Sequence, residues 1–304
     1  MKQLFFFLLV LLASVVVSVP NTSAAEPGSW SLTEGPHGGS VWSLLITADG
    51  NMLAGTLSHG VYFSVDDGEN WLQSNLDNVS VYDMAEGAGR TVFAATQDGI
   101  YRSDNNGRSW RRTSAGMEET RVQAVMVHGS GRIFAATLGG GIYVSDNNGT
   151  YWNKANEGIA GRHAYSFAIH PDGAILAGVS NRIYRSMDRG ETWSGTETNF
   201  PHVRTNAIAS NGNGAFFAAT QNGVYRSADG GSSWQEAGSI GETYDVAVTG
   251  QGMLVAAARD GIYTSSDNGA SWNADGLRGM PVYSVSYWGG TIAAGGNAGV
   301  FLRE

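Results

Sequence analysis

Short segments with a two-residue hydrophobic period recur along most of the chain, and they predict β-strands. VYDMAE (81–86) and VYSVSY (282–287) alternate in this way, which is typical of half-buried strands. Small apolar runs such as VFAAT (92–96) come after a Gly-rich turn and indicate fully buried strands. A third segment such as GIYRS (99–103) follows, and a fourth starts at a Trp. The pattern therefore predicts four short strands in each unit.

The units repeat with a period of about 40 residues. Six of them carry the motif Ser-x-Asp/Asn-x-Gly-x-x-Trp after the third strand, as in SDNNGRSW (103–110). Four-stranded units at this period are the signature of β-propeller blades. The motif residues are Ser64, Asp66, Gly68, Trp71, Ser103, Asn105, Gly107, Trp110, Ser145, Asn147, Gly149, Trp152, Ser186, Asp188, Gly190, Trp193, Ser227, Asp229, Gly231, Trp234, Ser265, Asp267, Gly269 and Trp272.

Two partial matches, one near each end of the sequence, make up a seventh unit. GVFLR (299–303) resembles a third strand, and GSWSLTEG (28–35) resembles the Trp-led fourth strand. We therefore predict an all-β fold, a seven-bladed β-propeller of four-stranded antiparallel blades over residues 26–304. The N-terminal strand is expected to join the last blade and close the ring, which removes exposed sheet edges.

The N-terminal segment has the layout of an export signal. Lys2 precedes the apolar run LFFFLLVLLASVVVSV (4–19), and small residues end at Ala25. This predicts a secretory signal peptide over residues 1–25, cleaved after Ala25, and a secreted or periplasmic location. An uncleaved anchor is the alternative, although the run is shorter than the roughly 18–20 residues of a membrane span.

Composition narrows the possible partners. The chain has no Cys, so it forms no disulfides, which favours a bacterial exported protein. Without Lys2, 17 basic residues face 27 acidic ones, a net charge of −10. A net-acidic exported chain is a poor candidate for binding nucleic acid or anionic membranes. We expect a monomer without stable membrane insertion, metal or other cofactor, with a protein or glycan as partner.

The repeated motif resembles the Asp box, or BNR repeat, and the resemblance covers nearly all of the predicted mature chain. It implies that the motif forms the turn between the third and fourth strands, on the face opposite the usual active site. In such a turn Asp or Asn accepts backbone hydrogen bonds, Gly takes a left-handed conformation and Trp packs between blades. Asn105 and Asn147 replace the carboxylate in two motifs, which disfavours a metal or acid–base role.

Asp-box propellers include sialidases, xyloglucanases, sortilin-type receptors and photosystem II assembly factors of the Ycf48 type. The sequence lacks the Arg-Ile-Pro motif of sialidases, which have six blades. Xyloglucanases of this type place their acids between two propellers, and this chain has one. The Ycf48-type scaffold is the most similar in size, export and blade number, although those factors are often lipid-anchored or thylakoid-targeted.

Candidate binding residues lie at the starts of the first strands, which line the channel of a propeller. The second positions of the seven first strands are Trp42, Tyr82, Gln123, Tyr165, Asn206, Tyr244 and Tyr283. When the seven first strands are aligned, the residues two positions earlier are Ser40, Ser80, Arg121, His163, Arg204, Glu242 and Pro281. Side chains two apart share one side of a strand, so the first set is expected to form a ring beneath a rim.

This ring and rim have two interpretations. Arg binds carboxylates and aromatic faces stack on sugars, which predicts a mouth for an acidic glycan or a protein segment. Arg162 and Arg278 on nearby loops add to it. Alternatively, the aromatics pack between blades and the Arg side chains are simply solvated.

Asp83 and Asp245 occupy the next position of two first strands and are the only candidates for catalysis. Carboxylates roughly 5–10 Å apart can hydrolyse glycosides. Alternatively, each accepts hydrogen bonds from neighbouring backbone. The sequence thus favours an exported non-catalytic binding or assembly platform, and the alternative is a sialidase-like or xyloglucanase-like glycoside hydrolase.

Overall fold

The computed structural model describes residues 29–37, 39–196 and 203–303. Every regular element in these residues is a β-strand. The described residues contain no helix long and apolar enough to cross a membrane. The strands form seven four-stranded antiparallel sheets. The predicted all-β, seven-bladed propeller is therefore confirmed. The predicted signal peptide over residues 1–25, with its cleavage after Ala25, lies outside the described residues and stays a prediction.

Each blade contributes one strand to each of four positions, counted outward from the centre. The first strands are Val41–Ile46, Val81–Glu86, Val122–Val127, Ala164–Ile169, Thr205–Ser210, Thr243–Val248 and Val282–Trp288. The second strands are Met52–Thr56, Val92–Thr96, Ile133–Thr137, Ile175–Val179, Phe216–Thr220, Leu254–Ala258 and Thr291–Gly296. The third strands are Gly60–Ser64, Gly99–Ser103, Gly141–Ser145, Arg182–Ser186, Gly223–Ser227, Gly261–Ser265 and Gly299–Arg303. The fourth strands are Leu72–Gln73, Arg111–Arg112, Asn153–Lys154, Ser194–Gly195, Gln235–Glu236, Asn273–Gly276 and, in the seventh blade, Ser31–Leu32.

The first strands surround a central channel, because each contacts the first strands of the two neighbouring blades. The ring is closed by the N-terminal strand. Ser31 pairs with Leu302, and Leu32 pairs with Phe301. The backbone N–H of Thr33 donates to the carbonyl of Val300 at 2.9 Å. The predicted closure of the ring is therefore confirmed.

The ladder register of each blade separates two faces of the propeller. In the first blade, Val41 pairs with Thr56 at one end, while Ile46 pairs with Met52 at the other. Met52 also pairs with Ser64, the first residue of the Asp box. The Asp boxes therefore lie on one face, here called the motif face. The first strands begin on the opposite face, here called the mouth face.

The Asp-box turn is held by hydrogen bonds among its own residues. Ser64 Oγ donates to Asp66 Oδ1 at 2.7 Å, and the Gly68 N–H donates to Ser64 Oγ at 2.9 Å. Asp66 Oδ1 also accepts from the Asn70 N–H at 2.9 Å. In the second blade the amide oxygen of Asn105 takes the same position and accepts a hydrogen bond from the Ser109 N–H at 2.9 Å. Because an amide replaces the carboxylate without changing these bonds, the turn is structural.

The motif Trp side chains join neighbouring blades. Trp152 is fully buried, and its indole N–H donates to the carbonyl of Thr113 in the preceding blade at 2.7 Å. The indole N–H of Trp30 donates in the same way to the carbonyl of Asp275 at 2.8 Å. The Trp152 bond thus ties the third blade to the second, and the Trp30 bond ties the seventh blade to the sixth.

Candidate functional site

A β-bulge at the same place in every first strand turns one side chain towards the channel. In the second blade Val81 pairs with Thr96 and Asp83 pairs with Ala95, so Tyr82 is the extra residue. Bulges re-aim side chains and are frequent near functional sites. The seven bulged residues are Trp42, Tyr82, Gln123, Tyr165, Asn206, Tyr244 and Tyr283. They are the same seven residues that the sequence places in one ring.

These seven side chains and Arg204 line one cavity of about 110 Å³ on the mouth face, here called the mouth cavity. Four of them, here called the aromatic arc, come from adjacent blades and contact one another in the order Tyr244, Tyr283, Trp42 and Tyr82. Trp42 and Tyr283 stack with centroids 5.1 Å apart and planes at 25°. The arc therefore forms a continuous wall around one half of the mouth.

The other half of the mouth cavity is polar and carries one positive charge. The Arg204 guanidinium lies 5.4 Å from the centroid of the Tyr165 ring. Its Nε donates to Asn206 Oδ1 at 2.6 Å, and Asn206 Nδ2 donates to the carbonyl of Thr243 at 2.7 Å. Arg204 has no ion-pair partner among the residues that the structure describes. Arg204 lines the mouth cavity together with Tyr165, Gln123 and Asn206.

The structure separates the predicted rim residues from one another. Arg121 is exposed, and its Nε lies 3.4 Å from the Glu119 carboxylate rather than in the mouth cavity. His163 is exposed, and its backbone bridges to Leu138.

On the far side of the mouth, Glu242 pairs with Arg259 at 3.6 Å. Burial raises the pKa of the Tyr244 phenol, and the nearby Glu242 carboxylate raises it further. Of the rim residues in the described chain, Arg204 alone lines the mouth cavity.

Asp83 and Asp245 line a second cavity of about 230 Å³, which shares four ring residues with the mouth cavity. Asp83 Oδ1 accepts from the Met84 N–H, and its Oδ2 accepts from the Val125 N–H of the next blade at 3.0 Å. Asp245 makes the equivalent bonds, the second to the Val285 N–H at 2.9 Å. Each carboxylate thus staples two adjacent first strands.

Burial decides the proton affinity of these two acids. It raises the pKa of Asp83 to about 7, although the two backbone N–H donors lower it in part. It raises the pKa of Asp245 to about 6 against the same kind of donors. The two groups are therefore able to exchange protons near neutral pH, while one oxygen of each accepts a bond within its own strand and the other accepts a bond from the next blade.

A groove between the third and fourth blades, not found by sequence reasoning, lies beside the mouth. It has a volume of about 440 Å³, and Glu118, Glu119, Lys154 and Arg162 line it. Its wall includes two residues of the run Gly139–Gly141, the only three consecutive glycines in the sequence. The loop before the third strand reads LGGG there and QDG in the second blade. The first blade has a loop of the same length, LSHG, so the run of glycines rather than the loop length distinguishes this position in the sequence.

The fold and its two faces define the class of protein, a seven-bladed β-propeller with Asp-box turns on one face and a bulge-lined mouth on the other. A family model described as DUF6242 beta propeller domain matches residues 175–291. No curated protein matches the sequence. The matched residues include the fifth and sixth blades and parts of their neighbours.

Solved structures share the fold at low sequence identity. The extracellular domain of BT4673 from B. thetaiotaomicron has a TM-score of 0.74 at 14% identity, over 88% of this chain and 39% of that chain. This chain thus spans about two fifths of that chain's length. YCF48 from Cyanidioschyzon merolae has a TM-score of 0.70 at 16% identity, over 90% of this chain and 98% of its own. An ancestral GH74 enzyme has a TM-score of 0.71 at 18% identity, over 87% of this chain and 44% of that chain.

Proposed function

We propose that this protein is an exported, non-catalytic platform that binds a protein or an acidic glycan at the mouth cavity. The observation that carries the proposal is the position of Arg204. Its guanidinium is fixed over Tyr165 and by Asn206, opposite the aromatic arc, and it has no carboxylate partner in the described chain. A fixed, unpaired guanidinium in a partly apolar cavity suits a carboxylate-bearing ligand.

The surroundings of the site support binding rather than catalysis. Ligand sites combine apolar walls with a few placed polar groups, and the mouth cavity has both. Both carboxylate oxygens of Asp83 and of Asp245 already accept backbone hydrogen bonds, one from the same strand and one from the adjacent blade. Proteins of the same fold include an extracellular domain, and one of them, YCF48, has been solved with a bound D1 peptide. These examples support an exported binding role for this chain.

The test compares two arginines that occupy equivalent positions in the repeat. Arg204→Ala removes the cation from the mouth cavity, whereas Arg121→Ala removes a cation that already pairs with Glu119. Both variants, and the double variant, are presented to a glycan array and to the extracellular fraction of the native source. We expect Arg204→Ala to lose the ligands that wild type retains and Arg121→Ala to keep most of them. Equal retention by wild type and the double variant contradicts the proposal.

One observation favours a second function, a glycoside hydrolase. Two carboxyls whose pKa values are raised to about 7 and about 6 line one cavity, which resembles the acid–base pairing of such enzymes. A screen for sugar release from a glycan panel tests it, with Asp83→Asn and Asp245→Asn as active-site variants and Asp188→Asn as control. Hydrolysis that both active-site variants abolish and the control retains establishes the enzyme. Absence of hydrolysis by the wild type contradicts the glycoside hydrolase function.

A further inference from the structure

Two loops connect the mouth cavity with the groove between the third and fourth blades. Arg121 lies two residues before Gln123 of the mouth cavity and two residues after Glu119 of the groove. His163 lies two residues before Tyr165 of the mouth cavity and directly after Arg162 of the groove. At about 3.3 Å per residue, these loops place the two cavities at most roughly 10 Å apart. The part of the mouth face from Arg204 across these loops to Arg162 is here called the track.

The charges on the track leave a net positive surface. Lys154 Nζ lies 2.7 Å from the Glu118 carboxylate, and Arg121 pairs with Glu119. Both acids of the groove are thereby neutralised. Arg162 and Arg204 have no ion-pair partner in the described part of the chain. On a protein with a net charge of −9, two unpaired guanidinium groups at the ends of one track attract an anionic chain locally.

The size of the mouth cavity restricts what enters it. Its volume of about 110 Å³ is well below the roughly 300–1,000 Å³ of pockets for drug-sized ligands. It therefore admits a single ring-sized group. The aromatic arc offers carbon surface for the C–H groups of a sugar ring, while Gln123, Asn206 and Arg204 offer partners for its oxygens.

The lining of the groove favours a glycan over a polypeptide. Extended and helical peptides commonly bind along a free strand edge or in apolar pockets that take their side chains. Eight of the eleven residues that line the groove are charged, amide or glycine. Such a lining provides hydrogen bonds and charge along an extended, hydroxyl-rich chain.

We propose that the track binds a linear acidic oligosaccharide of the hexuronic acid type. One uronate residue occupies the mouth cavity with its carboxylate on Arg204, and the following residues extend over His163 so that a second carboxylate reaches Arg162. This inference rests on the proposed function, because it specifies the ligand of the same mouth. The aromatic arc selects the sugar ring, and the two arginines select the spacing of its carboxylates.

The experiment is calorimetry with galacturonic acid and with its di-, tri- and tetrasaccharides. We expect affinity to rise with chain length and then reach a plateau. Arg204→Ala is expected to abolish binding of every length. Arg162→Ala is expected to remove the gain from added residues, about tenfold or more for a lost charged hydrogen bond, and to leave the monosaccharide unaffected. Arg108→Ala, at an exposed arginine of an Asp-box turn on the motif face and outside both cavities, is the control and should bind like wild type.

Each contrary result has its own meaning. Monosaccharide binding without a gain from chain length, or a gain that Arg162→Ala retains, overturns the track. Tighter binding of an oligoglutamate peptide or of neutral glucose oligomers overturns the uronate class. If no uronate binds while Arg204→Ala still loses its native partner, the inference is wrong and the proposed binding function stands. Thermal melts of each variant check that the substitutions leave the fold intact.

Discussion

Gly190 in the fourth blade packs directly against the ring of Phe134 in the third, and a Cβ on this glycine would lie 2.4 Å from Phe134 Cε1. The same contact recurs between Gly107 in the second blade and Leu53 in the first. The motif glycine is therefore required for two reasons. It has a φ of 82°, and it is the point where one blade closes on the next. The Asp-box turn thus joins blades as well as strands.

Replacing this glycine separates the two requirements. Gly190→Ala is expected to cost about 3 kcal/mol of unfolding free energy, since left-handed backbone and overpacking each contribute about 1–3 kcal/mol. Gly173→Ala has a similar φ of 90° but an open surrounding, so only the backbone cost applies. Urea unfolding measures both variants. Equal losses would show that the contact with Phe134 contributes nothing.

The Asp-box carboxylate is expected to matter as an acceptor rather than as a charge. Asp188 Oδ1 accepts from the Thr192 N–H at 2.9 Å, and Oδ2 accepts from the Thr192 hydroxyl. Asp188→Ala should therefore cost about 1–2 kcal/mol, and Asp188→Asn should cost clearly less, since Asn105 serves the same turn. Met187→Ala, at an exposed neighbour, is the control in the same denaturation series. A loss for the Asn variant as large as for Ala would contradict the acceptor role.

The two channel acids should make the fold less stable as pH rises towards neutrality. Burial raises their pKa values from the ordinary 3.8, to about 7 for Asp83 and about 6 for Asp245. The folded state therefore binds their protons more tightly than the unfolded chain does. Their stabilising contribution is full below about pH 4 and is lost as pH rises through about 6 and 7. We expect the melting temperature to fall across this window.

The variant Asp83→Asn/Asp245→Asn, which cannot titrate at these positions, should show a flatter profile of melting temperature against pH. One pKa unit corresponds to about 1.4 kcal/mol, so the change in slope is measurable by calorimetry. Asp188→Asn is the control, because hydrogen bonds from Thr192 lower the pKa of Asp188 to about 2, outside the window. A profile that is unchanged in the double variant would show that the two acids are not the source.

Closure of the ring by the N-terminal strand predicts unequal roles for two tryptophans. Trp30→Ala removes the indole that bonds to Asp275 and packs on the sixth blade, and it should cost about 3 kcal/mol. Trp288→Ala, with 44% of its surface exposed, should cost less than about 1 kcal/mol. Light scattering during thermal unfolding should also show earlier aggregation for Trp30→Ala, since its loss frees a sheet edge. Similar stabilities for the two variants would argue against closure as a source of stability.

The structure also shows that residues at equivalent positions of the repeat have different surroundings. Arg121 and Arg204 share one alignment column, but Glu119 holds the first away from the mouth, while Tyr165 and Asn206 hold the second in it. The partner of Arg121 lies two residues away and was visible in the sequence. The contact of Arg204 with Tyr165 joins two blades, and the repeat pattern alone did not show it.

By itself, the sequence determined the blade count, the ring closure and the seven positions that share the ring, while the face that carries the Asp boxes followed from the resemblance to Asp-box repeats. Local pattern is sufficient for these, because strand period, turn residues and motif spacing repeat in every blade. Only the tertiary structure decided that each ring residue sits in a bulge, that four aromatics stack into an arc and that a groove opens beside the mouth. These features depend on the side chains that adjacent blades bring together. The residues involved lie about 40 positions apart or, for Trp42 and Tyr283, at opposite ends of the described chain, so no local pattern records their contact.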